Sequence, residues 1–492
     1  MSIEASAAQT SVVDVPFLIR GKVLEPGEHS VEFGGRHGGR IRTPDPARYA
    51  AQLTLADAGQ LQDLHDTPTD EIIDFLAEVG KRLVLDENPM LQTAYDLAFQ
   101  AGELTEPLLR QLYDDFPLWF RPERTRAMVE SLGPGYLDGW VERGAPGRST
   151  VRLRAIGVRS LHIIAGNVPV TAAITVIRSA ITKGDCLIKM PSNDPFTAAA
   201  VVRALIDIDA GHPVTKHCSV AYWKGGDETV ERQIIRPARI ERLTAWGGMA
   251  SMVHIQKYLV PGIEFIGFNP KWSISIVGHE ALESEAAMAE AAYGVAVRAG
   301  EHNQTGCSDT RVVYVECSTE PDDLDRLEKF GHAIHRAFGE LPSWFSTVPK
   351  RPNPDLDAEL RAVALEDEFY RVIGDSSFGG AVVSRTEEPV EFADQLNNRI
   401  VNLVPVADIA RVPRWANEAT QTVGVYPERL REQLRDRLAL YGVQRIVPLR
   451  REDPASPTGA DVSPRSSLGV QDGGEPLRRM VRWVIDESMD ER

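Results

Sequence analysis

The amino-acid sequence predicts an α/β protein: a parallel-sheet domain that binds a ligand, followed by a second α/β domain. Three observations carry this prediction. From residue 158 short apolar runs alternate with helical segments of about 10–15 residues, the mark of βαβ units. A second strand–helix region begins after "RVVYVEC" and runs to about residue 442. At 492 residues the chain is too long for one core, so two or three domains are expected.

Residues 1–150 mix a short strand-rich start with helices. "DEIIDFLAEVGKRLVL" and "TEPLLRQLYDDF" carry apolar residues at helical spacing, and the whole reads as a leading subdomain. Residues 151–278 form the parallel-sheet domain. Its strands are "VRSLHIIA", "DCLIKMP", "KHCSVAYW" and "RLTAW", and its helices are "TAAITVIRSAITKG", "PFTAAAVVRALIDID", "DETVERQII" and "ASMVHIQKYL". "SISIVG" is a further strand. The run "SEAAMAEAAYGVAVRAG" is a long helix capped by Ser284 and stopped by Gly300. It opens the second domain, 279–442, whose clearest helix is "PERLREQLRDRLALYG". Residues 443–492 are a C-terminal segment of strand, long loop and helix, expected to return to the first domain. Its Pro/Gly/Ser-rich loop, 451–473, is long enough to be functional or mobile, and "EPLRRMVRWVIDES" reads as the closing helix.

The apolar share of 43% and charged share of 25% are those of a globular protein. A net charge of −17 and the lack of any Lys/Arg block argue against nucleic acid as a partner. No apolar run reaches the roughly 18–20 residues that cross a bilayer, so no membrane span is expected. "MSIEASAAQTSVVDVPF" lacks the basic-then-apolar order of a signal peptide, and Cys186, Cys218, Cys307 and Cys317 form no CxxC pair. Both features suit a reducing cytoplasmic location. Metal binding is not expected. His332 and His335 share a helix face without further ligands, and "HEALESE" lacks the second His of a zincin motif.

In an open parallel sheet, ligands sit beyond the C-terminal ends of the strands, so the strand-to-helix turns are the places to search. In "IAGNVPV", Asn167 occupies such a turn; it either caps the next helix or points an amide at a developing oxyanion. In "LIKMPSNDP", Lys189 ends a strand; it either snorkels at the surface or holds a phosphate or ribose hydroxyl. In "TAWGGMASM", Gly247 and Gly248 either make a tight turn needing positive φ or let a phosphate approach the helix N-terminus. No GxGxxG fingerprint is present here. In "EHNQTGCSDT", Cys307 stands between small and polar neighbours, where it is either a buried small hydrophobe or a nucleophile. Cys186, Cys218 and Cys317 lie in or at the end of apolar strands and read as core.

These four motifs, in this order, resemble the aldehyde dehydrogenase superfamily: an Asn in a strand-to-helix turn, a Lys-x-x-x-x-x-Pro segment, a Gly turn, and a Cys in an Asn-Gln-x-x-Cys context, here Asn303, Gln304 and Cys307. Three longer stretches, "NQTGCSDTRVVYVE", "TVGVYPERLREQLRDRLALYGVQRIVPL" and "DGGEPLRRMVRW", are similar to the LuxC-type acyl-CoA reductases, the fatty acid reductase component of bacterial bioluminescence and its relatives. The resemblance covers nearly the whole chain, from about "VPFLIRGK" to the last expected helix. It implies an aldehyde dehydrogenase-like fold, with a cofactor domain and a catalytic domain, and commonly a homo-oligomer.

Two departures from the aldehyde-oxidising members bear on activity. Those members carry a Glu-Leu-Gly-Gly-Lys segment whose Glu activates water against the acyl-enzyme. Here the matching stretch is "GFNPK", 267–271, without a carboxylate at that position. Glu264 and Glu301 lie nearby in sequence as substitutes. NAD-dependent members often place a Glu three residues after the Lys; here that position is Ser192, with Asp194 close by. Loss of that carboxylate leaves room for a 2′-phosphate, which implies NADPH. A third departure is Gln471-Asp472-Gly473, where the closer family has His-Asp-Gly. The resemblance therefore implies reduction of an acyl-CoA, or of an acyl group delivered by a partner synthetase or transferase, through a Cys307 acyl-enzyme. Asn167 and the Cys307 N–H would hold the oxyanion, while Lys189, Ser192, Gly247 and Gly248 would hold NADPH. The alternatives are an oxidative aldehyde dehydrogenase and a non-catalytic channelling subunit.

Overall fold

The computed structural model describes residues 12–34, 40–133, 135–144, 149–450 and 469–489. Most of the Pro/Gly/Ser-rich loop, 451–468, lies outside these residues. The chain divides into two compact units, one of residues 1–102, 112–269 and 457–492, the other of 103–111 and 270–456. The break falls between Asn269 and Pro270, ahead of residue 278, because the strand "WSISIV" enters the second unit; the leading segment falls largely in the first.

Unit 1 begins with strands β1 (Val12–Asp14), β2 (Phe17–Ile19), β3 (Lys22–Leu24), β4 (Ser30–Gly34) and β5 (Arg40–Pro44). β6 (Val141–Gly144) and β7 (Ser149–Gly157) precede the parallel set β8 (Arg159–Ile163), β9 (Asp185–Lys189), β10 (Cys218–Ala221), β11 (Arg242–Trp246) and β12 (Glu264–Phe268). The main sheet has the order β12-β11-β8-β9-β10-β2-β3. The first five strands are parallel, and β2 and β3 add an antiparallel edge. Arg20, after β2, makes a bidentate contact with Asp185 at 2.6 and 3.0 Å and fastens that edge. Leu161, Leu187, Ile188, Val220 and Leu243 are almost wholly buried, which is why these strands read as continuous apolar runs. Helices Val170–Ile181 and Thr197–Asp209 supply Ala172, Ala173 and Ala198–Ala200, all buried, so their backbones pack close.

Unit 2 holds a mixed sheet of β13 (Trp272–Val277), β14 (Thr310–Glu316), β15 (Tyr370–Asp375), β16 (Gly379–Ser384), β17 (Ile400–Val406), β18 (Thr420–Tyr426) and β19 (Arg445–Pro448). The order is β15-β16-β17-β14-β13-β18-β19, parallel except at the β15 edge. One apolar cluster covers each face. Helices Glu285–Gly300 and Pro321–Phe338 pack on the first through Ala292, Val295, Leu327 and Phe330. Leu430, Leu434 and Leu438 of helix Glu428–Leu440 pack on the second. Ser284 caps the long helix as expected, accepting from Ala287 N–H at 3.2 Å.

The chain end differs from the sequence reading. The expected closing helix is only Pro476–Met480, and β20 (Val481–Met489) follows, antiparallel to β7 from Val481↔Gly157 to Met489↔Ser149. Val481, Trp483 and Ile485 recur at every second position, as a strand requires, while Val484 keeps a helical spacing open as well, and the open edge of β7 decides between the two periodicities. Just before it, Gln471–Gly474 closes a tight turn with Asp472 and Gly473 both at positive φ (51° and 75°), the Asp-Gly signature of a type I′ turn.

Candidate active site

The unit 1 sheet has a topological switch at β8. From β8 the chain steps to β9 and β10 on one side, then crosses back to β11 and β12 on the other. The crevice therefore opens beyond the C-terminal ends of β8 and β11. Ile163 of β8 pairs in register with Lys189 of β9 and Ala245 of β11, and Lys189 with Ala221 of β10. Asn167, Lys189, Ser192, Gly247 and Gly248 thus line one rim.

Asn167 is exposed in the turn between β8 and helix Val170–Ile181. That helix has Pro169 as its N-cap, so Asn167 does not cap it. A Cβ on the preceding Gly166 would overlap the Asn193 side chain and Pro191, so glycine lets this turn press against the Lys189–Ser192 segment. Gly247 and Gly248 do not have positive φ. The tight-turn explanation for them therefore falls. A Cβ on Gly248 would meet nothing within 4 Å, so the N-terminus of helix Met249–Gln256 stands open to an anion. The turn, the helix terminus and Lys189 are groups that could hold the phosphates of a cofactor.

Lys189 is only 9% exposed, which removes the snorkelling reading. Its Nζ donates to the Met190 carbonyl at 3.4 Å and stands 5.6 and 5.7 Å from the Tyr222 and Trp223 ring centroids. Burial lowers its pKa to about 8, against the opposing charge of Glu231. Ser192 is half-buried in the turn after β9. Asp194 is buried and turned to the next helix, accepting from Thr197 N–H at 3.1 Å and Thr197 Oγ–H at 2.7 Å. Burial raises its pKa to about 6, partly offset by those hydrogen bonds. Trp246 and Phe268, ending β11 and β12, stack with centroids 4.3 Å apart.

In unit 2 the cysteine loop follows helix Glu285–Gly300 and precedes β14. His302, Asn303 and Gln304 take successive left-handed conformations, φ 45°, 58° and 66°. Such residues cost about 1–2 kcal/mol each and persist only where contacts over-determine them. Here Asn303 Oδ1 accepts from Thr347 N–H at 2.9 Å and its Nδ2 donates to Thr347 Oγ1 at 3.0 Å. Gln304 Nε2 donates to the carbonyls of Thr310 and Ile400, both at 2.8 Å. The Asn-Gln pair of the motif is thus the frame of the loop. Asp309, buried, accepts from Gly306 N–H at 2.6 Å; burial first, and then the charge of Glu301, hold its carboxyl well above the usual range.

Cys307 is exposed, whereas Cys186, Cys218 and Cys317 are buried. Gln421 Nε2 on β18 donates to Cys307 Sγ at 3.0 Å. Ser273 Oγ on β13 donates to the Cys307 carbonyl at 2.8 Å and accepts from Thr422 N–H at 3.0 Å. A sulfur presented to solvent and touched by an N–H donor is not used for core packing and has the access that a nucleophile needs.

Of the two carboxylates weighed as bases, Glu264 starts β12, at the sheet edge opposite the rim, and is paired with Arg479 at 2.9 Å and Arg242 at 3.3 Å. It does not serve the crevice. Glu301 stays in the cysteine loop, where its charge acts on Asp309. Among the described residues, His279, Glu280 and Glu316 form a group of metal-ligand types. Their contact is an ion pair, in which Glu316 raises the His279 pKa. Sequence reasoning missed Ser273 and Gln421, which no local motif marks, and Asp309, which stands inside the quoted motif two residues after the cysteine. Among the described residues no helix is long and apolar enough to cross a membrane.

Residues 64–483 match the family described as acyl-CoA reductase (LuxC). The long-chain acyl-protein thioester reductase of Aliivibrio fischeri is 34% identical over 357 residues, 71% of this chain and 67% of that protein. Solved aldehyde dehydrogenases share the fold. Lactaldehyde dehydrogenase from Escherichia coli gives a TM-score of 0.70 at 14% identity, over 97% of this chain and 99% of that one. NADP-dependent glyceraldehyde-3-phosphate dehydrogenase from Bacillus halodurans C-125, complexed with NADP, gives 0.70 at 13% identity, over 97% and 99%. The architecture is therefore aldehyde dehydrogenase-like, as the motifs implied.

Proposed function

Because the chain belongs to the acyl-CoA reductase (LuxC) family, we propose that it reduces a long-chain acyl thioester to an aldehyde through an acyl group carried on Cys307. The observation that carries this reading is the exposed Cys307 sulfur, held by an amide N–H in a loop over-determined by side-chain hydrogen bonds. The Cys307 thiolate attacks the acyl carbonyl carbon. Its new C–S bond replaces the bond to the departing thiol, which leaves with the electron pair. On this reading the Asn167 amide, exposed and not used as a helix cap, is a donor for the oxyanion, as is the Cys307 N–H. A nicotinamide cofactor, when bound, supplies the hydride that brings the acyl group to the aldehyde level. Cys307 then leaves as thiolate, ready for the next acyl group.

Lys189 and the open N-terminus after Gly248 hold the cofactor phosphates. The cofactor is NADPH on this reading. Ser192 puts no carboxylate at the ribose, and the nearby Asp194 is committed to Thr197. The acyl donor is acyl-CoA, or an acyl group delivered by a partner protein. The Aliivibrio fischeri relative is named for acyl-protein thioesters, which favours weighing both. A stable acyl-enzyme also suits "GFNPK", which lacks the carboxylate that would drive water onto it.

The test is to supply long-chain acyl-CoA and NADPH to the purified protein, following nicotinamide absorbance and the acyl group on Cys307 by mass spectrometry. Aldehyde formation and a labelled Cys307 are expected, both lost in Cys307→Ala. Absence of label and of NADPH oxidation across several chain lengths overturns the proposal. Aldehyde oxidation to free acid without CoA would select the oxidative alternative, with Glu301 as base. Failure to bind any nicotinamide cofactor would select a non-catalytic subunit.

A further inference from the structure

The contact between Gln421 and Cys307 joins residues 114 positions apart and belongs to no motif of the sequence. Gln421 is 1% exposed on β18, between β13 and the edge strand β19, while the sulfur it touches is exposed. The cysteine is clamped at two points. Gln421 Nε2–H reaches Sγ at 3.0 Å, and Ser273 Oγ–H reaches the Cys307 carbonyl at 2.8 Å. Thr422 N–H, next along β18, donates to Ser273 Oγ at 3.0 Å, so both points are anchored to the same strand pair.

We propose that Gln421 is a positioning residue for acyl transfer, its amide N–H fixing the Cys307 rotamer and stabilising the sulfur as thiolate. The inference rests on Cys307 being the nucleophile. An N–H donor favours the charged form of a thiol, and a hydrogen bond to a charged group is worth more than a neutral one. A thioester sulfur is a weak acceptor, so the contact acts on free Cys307 before attack and again as the sulfur departs. The amide does not titrate, so the donor is present at every working pH. The titratable and charged groups around the loop are Arg311, which interacts with Cys307, together with Asp309, Glu301, His302 and Arg298, which acts on Asp309. None of them changes when Gln421 is replaced.

The experiment measures Cys307 alkylation by iodoacetamide against pH in the full chain, read on the Cys307 peptide by mass spectrometry, for wild type, Gln421→Leu and the near-isosteric Gln421→Glu. Losing the donor should slow alkylation at pH 7 about tenfold and raise the midpoint by about one pH unit. Gln421→Glu should raise it further, because a carboxylate then faces the sulfur. If Gln421→Leu does not fold, judged by circular dichroism, the Gln421→Glu profile decides alone. Wild-type profiles in the folded variants overturn the role of Gln421. Acylation of wild-type Cys307 by acyl-CoA is read in parallel. An unlabelled wild-type Cys307 defeats the proposed function; intact labelling with unshifted profiles defeats Gln421 only.

Discussion

The side-chain amide of Gln304 takes the place of a strand neighbour for Ile400: Nε2–H donates to the Ile400 carbonyl at 2.8 Å, and Oε1 accepts from Ile400 N–H at 3.0 Å. The same Nε2 donates to the Thr310 carbonyl. One glutamine therefore ties the first residue of β14 to the first residue of β17 and holds the cysteine loop where the ladder begins. The glutamine of the motif is a structural brace for the loop that carries Cys307.

Gln304→Ala removes a donor from the Thr310 and Ile400 carbonyls, while the Ile400 N–H keeps the Asn397 carbonyl at 3.1 Å. At about 1–3 kcal/mol for each buried carbonyl left unsatisfied, unit 2 should lose roughly 2–5 kcal/mol. Urea unfolding followed by fluorescence measures the loss. Gln304→Glu should also destabilise, because it sets a second oxygen against the two carbonyls. Wild-type stability in both variants would contradict the bracing role.

On the proposed reading, in which Lys189 holds a cofactor phosphate, cofactor affinity depends on pH. The pKa of Lys189, lowered to about 8 by burial, leaves the free enzyme losing the ammonium charge above that value. A phosphate binds the protonated form, so NADPH affinity should fall above pH 8, by up to about tenfold per pH unit. Titration by nicotinamide fluorescence between pH 7 and 9.5 tests this. Lys189→Arg, which keeps its charge, should flatten the profile, and Lys189→Met should weaken binding at pH 7 and approach wild type towards pH 9.5.

Asp194 works against stability at neutral pH. Its folded pKa is about 6 against an ordinary value of 3.8. Between those values the unfolded chain has released the proton while the folded chain retains it, so stability falls as pH rises from about 4 to about 6. Asp194→Asn keeps an acceptor for Thr197 and removes this titration. Its stability relative to wild type should climb by about 2–3 kcal/mol from pH 4 to pH 7. Parallel pH–stability curves for the two proteins would refute the assignment.

Asn167→Ala removes the proposed oxyanion donor without touching the helix cap. A fall in kcat of about 10²–10³ is expected, as for loss of one oxyanion donor elsewhere. Alkylation of Cys307 should be unchanged, since that reaction develops no oxyanion. An unaltered kcat would send Asn167 back to a purely structural role in its turn.

Strands β8 to β11, β13 and β14, the Ser284 cap and the strand-end location of the motifs were readable along the chain. Each depends on residues a few places apart: apolar runs, a capping hydroxyl, a glycine pair at a strand end. The closing strand was misread as a helix because Leu477, Met480, Val481, Val484 and Ile485 satisfy helical spacing nearly as well, and the partner that decides, β7, lies over 300 residues upstream. The burial of Lys189 was equally hidden. It comes from Tyr222 and Trp223, which follow the neighbouring strand β10.

Local pattern was enough to say that Cys307 stands in a loop between helix and strand, in a chain built of βαβ units. Whether that sulfur is exposed, and what touches it, depended on strand order. β18 lies beside β13, which brings Gln421 to Sγ and Ser273 to the carbonyl. Periodicity reports only which face of an element turns inward. Which elements become neighbours is settled when the whole sheet buries both of its faces at once, and that choice turned an ordinary cysteine into one held by a donor.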